Sequence, residues 1–387
     1  MKGDPFGQLI LTGVPGRELD SETAALFRRI QPGGFILFGR NIESALQLRK
    51  LIDDLRDLSE IEPIVTIDQE GGRVSRLRLI GNEPPNAQQL RDKGDIDLVR
   101  RHGHITGRLL RVFGFNLDLC PVLDISFDDE AANSLRGRCY GRTVEQVVEL
   151  AGAFNDAMRE QGIASCGKHF PGYSAATIDA HHDLPKIERT REELDNEELA
   201  VFRKFVGRSG LLEIGPATQV NRPYLGNNIV DSMMICHGWY PCFEREKTPA
   251  SLSRRVVNDL LREEMGFEGL IMTDDLDMGA ILNEYDLDQT IRLAIGAGND
   301  LAMICHRIPA IEEVYRTLQN LQRDQMDRAM GGVSRFKKTL AAPHEFSEAA
   351  FRKIDEEVWD LRVATLGQEL AAQRSPEDGK RSPVETY

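Results

Sequence analysis

Residues 167–185, GKHFPGYSAATIDAHHDLP, gather an ammonium group, imidazoles and carboxylates around a Pro-Gly turn. Asp179 and His181 lie two positions apart, so in an extended segment their side chains point the same way and can hydrogen-bond. A carboxylate beside an imidazole favours the protonated ring and fixes which nitrogen carries the proton. Such a pair suits a catalytic acid/base that delivers a proton and later removes one near neutral pH. The DAHHD run also has zinc-ligand chemistry. Adjacent His181 and His182 would project to opposite sides of an extended segment, however, and no matching cluster stands at another expected strand end. No metal is therefore expected, and His182 and Asp183 read as structural neighbours of the active pair.

The elements that must position these groups are legible as eight short apolar runs, at 8–12, 34–38, 63–68, 116–122, 163–168, 231–237, 269–273 and 300–305. Each is followed by a polar or glycine-bearing corner and then a longer amphipathic stretch. One such stretch, 45–58, carries Leu46, Leu48, Leu51, Ile52 and Leu55 as its apolar stripe. Strand alternating with helix implies an α/β protein with a parallel sheet, and eight repeats favour closure into a (β/α)8 TIM-type barrel. Chemistry in that fold gathers at the carboxyl ends of the strands. Asp68 and Glu70 follow the third run, Lys168 and His169 the fifth, His237 ends the sixth, and Asp274 and Asp275 follow the seventh.

Ser347 reads as the N-cap of a closing helix in which Phe351, Ile354, Val358 and Leu361 recur at spacings of three and four. One catalytic domain over 1–367 is expected, with 368–387, polar and holding two Ser-Pro steps, as a disordered tail. A Gly-, Pro- and Asn-bearing stretch at 209–228 reads as an insertion between a helix and the sixth strand.

A 387-residue chain with formal charge −14 and pI near 5.2 repels nucleic acid and anionic membranes, so neither is an expected partner. The six cysteines are scattered, form no CxxC pair and mostly sit in apolar runs, which fits free thiols in a reducing compartment. The first apolar run is too short for a signal peptide or membrane span, so the cytoplasm is the expected location.

The series of corners resembles the family 3 glycoside hydrolases, and within them the single-domain β-N-acetylglucosaminidases (β-hexosaminidases). The resemblance rests on GGFILFGRN at 33–41, TIDQEGGRVSRL at 66–77, NLDLCPVLDI at 116–125, KHFPG at 168–172, DAH at 179–181, PASLS at 249–253, MTDDLDM at 272–278 and GAGNDLAMIC at 296–305. By position it implies Asp274 as catalytic nucleophile, His181 as general acid/base and Asp179 as its partner. It also implies that Asp68, Arg76, Arg138, Lys168 and His169 bind sugar hydroxyls; around Arg138 the pattern is loose, and Arg136 or Arg142 could serve instead. A retaining glycosidase needs one ionised carboxylate to attack the anomeric carbon and a second group that protonates the leaving oxygen and then activates water.

The resemblance thus implies a cofactor-free retaining β-N-acetylhexosaminidase acting on substrates that contain N-acetylglucosamine, such as cell-wall muropeptide fragments. Three alternatives stand beside it. A histidine acid/base is neutral after proton donation, so phosphate is a conceivable acceptor and the chain could be a glycoside phosphorylase; a β-glucosidase-like relative and a non-catalytic sugar binder are the others. Where the family usually has His-Gly-Asp-Thr after KHFPG, this chain has Tyr173, Ser174, Ala175 and Ala176. That departure bears on loop motion and substrate detail.

Overall fold

In the computed structural model the described residues are 5–130, 134–206 and 229–375. All eight expected strands form: β1 Ile10–Gly13, β2 Gly34–Leu37, β3 Ile64–Ile67, β4 Leu117–Asp118, β5 Ala164–Phe170, β6 Ser232–Ile235, β7 Leu270–Asp275 and β8 Leu301–Ile304. Each pairs in parallel with its neighbour in sequence order, and β1 pairs with β8, so the sheet closes as a (β/α)8 barrel. Nearly every strand residue is buried, which is why the strands read as continuous apolar runs and not as alternating ones.

Three sequence expectations need correction. The fourth run was expected over 116–122, but regular pairing covers only Leu117–Asp118, because Pro121 has no N–H to continue the ladder. Contact with β5 continues irregularly, through Cys166 N–H to Cys120 O at 2.7 Å and Leu123 N–H to Lys168 O at 2.6 Å. In the helix Ala45–Asp57 the residues Leu48, Leu51, Ile52 and Leu55 are buried, whereas Leu46 is 60% exposed. Two positions before Leu48 is about 200° around the helix, which turns Leu46 to the outer face.

The third correction concerns the carboxyl-terminal segment. Ser347 caps Glu348–Leu366 by accepting the Ala350 N–H, and Phe351, Ile354, Val358 and Leu361 are buried as expected. The helix packs across Ile96–Phe113, with Phe113 and Phe351 edge to face at 5.2 Å. Gln368–Ala371, expected to begin a disordered tail, instead form a further helical turn. They are held because Arg362 is buried and needs acceptors: it donates to Ala371 O at 3.0 Å and to Glu83 Oε1 at 3.0 Å. Glu83 also takes Arg78 at 3.0 Å and the Ser375 hydroxyl at 2.7 Å. The remainder of the expected tail and the expected insertion at 209–228 lie outside the described residues.

Glu83 therefore joins the loop beyond β3 to the end of the chain's last described helix. Replacing Glu83 with Ala leaves two buried guanidinium groups without their carboxylate, and should cost about 3–5 kcal/mol in urea unfolding. By contrast Arg323→Ala, at an exposed side chain 3.7 Å from Asp327, should cost less than about 1 kcal/mol in the same measurement.

Candidate active site

The strand ends converge on a cavity, open to solvent, whose lining includes Asp68, Arg138, Lys168, His169, Asp179, His181 and Asp274. Asp68 follows β3 directly. Beyond it a short hairpin, Gln69–Gly71 with Val74–Ser75, turns Glu70 inward and leads into the 3-10 helix Arg76–Leu79. The turn needs glycine: Gly71 has φ +115°, and a Cβ there would lie 2.3 Å from Pro85 O.

A chain of buried charges runs around one wall. Lys168 Nζ, on β5, donates to Asp68 Oδ1 at 2.8 Å and lies 2.7 Å from Glu70 Oε1. Arg138 forks onto Glu70 with two contacts of 2.7 Å, and Arg76 approaches Asp68 at 3.5 Å. Burial alone would raise the Glu70 carboxyl, but Arg138 and Lys168 hold it well below the usual carboxylate range. Burial would likewise lower the Lys168 ammonium, and Asp68 and Glu70 raise it. Just behind them burial pushes Asp118 up to about 8, so this carboxyl is mostly protonated at neutral pH. Of the three arginines left open by the sequence, Arg138 reaches the cavity. Arg136 and Arg142 pair instead with Glu130 and Asp129 outside it.

His169 is oriented by Asp124, which accepts its Nδ1 at 2.7 Å and its backbone N–H at 3.1 Å. The ring's Nε2 is thereby left toward Arg138, 3.5 Å away. Sequence reasoning missed Asp124, although it lies within the quoted run NLDLCPVLDI, and placed Glu70 among strand-end polar groups without pairing it to Arg138. The signal for both was a carboxylate just beyond an apolar strand run.

Asp274 stands at the end of β7, half-buried, with Oδ1 accepting the Asp275 N–H at 2.8 Å. Its pKa is lowered: burial acts to raise it, and His237, His169, the Asp275 N–H and His181 together outweigh that. The other carboxylates of the DDLD run are used for construction. Asp275 Oδ1 accepts the N–H groups of Asp277 and Cys305, and Asp277 Oδ2 accepts those of His306 and Arg307. His237 donates Nε2–H to Asp275 O at 2.8 Å, so its Nδ1 accepts the Ser251 hydroxyl at 2.7 Å. His237 and the PASLS run thus support the end of β7 from behind.

The loop after β5 brings Asp179 and His181 to the same cavity. His181 Nδ1 lies 2.6 Å from Asp179 Oδ1, which also accepts the His181 N–H at 3.0 Å. Burial acts to raise the Asp179 carboxyl, but its bonds to His181 bring it below its ordinary value. His182 and Asp183, read from the sequence as structural neighbours of the pair, are exposed and are not among the cavity's lining residues. Among the described residues no three His, Cys, Asp or Glu side chains converge as a metal-binding set. All six cysteines are free, and no described helix is long and apolar enough to cross a membrane.

Comparison with known proteins places this geometry. Residues 4–337 match the family model for the glycosyl hydrolase family 3 N terminal domain. A beta-hexosaminidase of Pseudomonas aeruginosa is 31% identical over 317 residues, 82% of this chain and 87% of the relative. The family 3 beta-N-acetylglucosaminidase structure from Paenibacillus sp. str. FPU-7 superposes with a TM-score of 0.81 at 30% identity, covering 94% of this chain and 69% of that one. NagZ from Neisseria gonorrhoeae, solved with N-trifluoroacetyl-D-glucosamine, gives 0.72 at 25% identity, covering 91% and 97%. With a family match over most of its length and a barrel whose strand ends carry that family's corners, this chain belongs to glycosyl hydrolase family 3 and is a glycoside hydrolase.

Proposed function

We propose that the protein is a retaining β-N-acetylhexosaminidase that releases terminal β-linked N-acetylglucosamine, with cell-wall muropeptide fragments as its substrates and the cytoplasm as its location. One observation carries the reading: Asp274 at the end of β7 and the Asp179–His181 pair in the loop after β5 line one cavity. The N-acetylglucosamine part of the substrate is supported by the relatives, which include beta-hexosaminidases and a structure holding an N-acylated glucosamine; the muropeptide part rests on the resemblance alone. The free cysteines agree with a reducing compartment.

In this mechanism the sugar lies over the charged wall, its hydroxyls bonded to Asp68, Lys168, His169, Arg138 and Arg76. Bonds to charged groups are worth about 1.5–3 kcal/mol each. Asp274 Oδ attacks the anomeric carbon as the bond to the leaving oxygen breaks, and protonated His181 gives that oxygen its Nε2 proton. The products are a glycosyl ester on Asp274, the free alcohol and a neutral imidazole. Water then attacks the same carbon, its proton returns to His181, and the Asp274 carboxylate is regenerated with retention. Asp179 holds Nδ1–H throughout, so the other nitrogen does the exchange.

The first test is substrate choice. Aryl β-N-acetylglucosaminide should be cleaved well ahead of aryl β-glucoside, and Asp274→Ala should lose about 10³-fold or more in kcat. Normal turnover by that variant overturns the nucleophile assignment. His181→Ala, given an activated aryl leaving group that needs no acid, should show a burst and then a slow steady state.

The pH dependence has a definite sign. Because the Asp274 carboxyl lies below its ordinary value, it stays ionised as pH falls through that range. In His181→Ala, kcat/KM for the activated substrate should therefore stay level from about pH 7 to about pH 4.5, while the protein remains folded by circular dichroism. A decline beginning near pH 6 contradicts an ionised Asp274.

A further inference from the structure

Two of the four residues that depart from the family's usual run, Tyr173 and Ser174, are tied into the site by hydrogen bonds. Tyr173 is fixed at its backbone, where its N–H donates to Asp124 Oδ1 at 2.6 Å, and Ser174 Oγ accepts the Ile125 N–H at 3.0 Å. From that anchored root the buried Tyr173 ring reaches forward into the loop that carries the acid/base pair. Its hydroxyl donates to Ile178 O at 3.1 Å and accepts the buried Ala180 N–H at 2.9 Å. Those two backbone groups flank Asp179. Burial raises the phenol far above its ordinary value, so the hydroxyl keeps its proton and both bonds.

The far side of the loop is held by the segment that follows the nucleophile strand. Ala280 N–H donates to Ala180 O at 2.9 Å, Gly279 N–H to His181 O at 3.1 Å, and Asn283 Nδ2 to His182 O at 2.9 Å. At Gly279 a Cβ would lie 2.6 Å from His181 O, so the approach excludes any larger residue. The loop is thus clamped between the end of β5 and the segment beyond β7.

Resting on the acid/base reading above, we propose that Tyr173 is a positioning residue whose hydroxyl fixes the Asp179–His181 loop against the Asp274 side, so that the pair is in place before substrate arrives. The Tyr173 hydroxyl bonds to the loop backbone at Ile178 and Ala180, and Tyr173→Phe keeps the ring that lines the cavity beside His169. Loss of the hydroxyl should harm the steps that need His181 and spare those that do not.

The test compares Tyr173→Phe with His181→Ala and the unaltered enzyme on aryl β-N-acetylglucosaminides with good and poor leaving groups, with and without azide. With the good leaving group, Tyr173→Phe should keep kcat/KM within about twofold while kcat falls about tenfold, a factor in the range of one lost buried hydrogen bond. Azide, which attacks the glycosyl-enzyme without needing a base, should restore much of that kcat. With the poor leaving group kcat/KM should fall as well. Amide exchange in a peptide spanning 176–184 should be faster than in the unaltered enzyme, a readout that does not depend on turnover. Unchanged kcat with both substrates overturns the proposal, as does an equal loss of kcat/KM with both substrates that azide does not relieve. His181→Ala with normal kcat and no gain from azide would overturn the acid/base reading itself; a His181→Ala defect beside a normal Tyr173→Phe enzyme would overturn only the role of Tyr173.

Discussion

A single ammonium group holds two strand ends of this barrel together. Lys168, 2% exposed, has Asp68 and Glu70 within 2.8 Å, and through them it is tied to Arg76 and Arg138. Each of these charges would be costly to bury alone, and the set is tolerated because every member has an opposite partner. Such a network is a poor source of net stability, since desolvation offsets most of the attraction. Its effect is geometric: the hydrogen-bonding groups proposed to meet a sugar's hydroxyls are held at fixed positions along the cavity wall.

The same economy appears in the motifs around Asp274, the proposed nucleophile. Of the three carboxylates in MTDDLDM, Asp275 and Asp277 fasten the backbone of residues 305–307 to the end of β7, Asp275 while also lining the cavity, and Asp274 lines the cavity without taking part in that tether. The imidazole of His237, between Ser251 and Asp275 O, transmits the position of the PASLS run to that strand end. Residues that look equally chemical in the sequence therefore divide into Asp274, free of that tether, and several that fix where it stands.

That division explains what could be read without coordinates. Eight buried parallel strands announce themselves as apolar runs, and a carboxylate, ammonium or imidazole just past such a run stands at the barrel mouth by construction. The barrel and the placing of Asp68, Lys168, His169 and Asp274 were legible for that reason. Partnerships were not, because they join residues far apart in the chain: Glu70 with Arg138, Asp124 with His169, Glu83 with Arg362. Composition also misled at 368–375, where a polar segment is ordered by a buried arginine 6 positions before it that needs carbonyl oxygens. Tyr173 read only as part of a departure bearing on loop motion and substrate detail, since nothing local shows that its hydroxyl meets the backbone at Ile178 and Ala180.

Asp274 differs from every other carboxylate of the site in how its charge is maintained. Asp68 and Glu70 are ionised because cations touch them, and those contacts occupy the lone pairs that a nucleophile would need. Asp124 and Asp179 are engaged by imidazoles and N–H groups at hydrogen-bonding distance. Around Asp274 the favourable groups are one backbone N–H and imidazoles acting through space, with no arginine or lysine bonded to it among the described residues. The charge is kept while the oxygen remains available to form a bond. A strong ion pair in its place would lower the carboxyl's pKa further and also lower its reactivity, so weak, dispersed stabilisation is the arrangement that leaves an ionised and reactive oxygen at the mouth of the barrel.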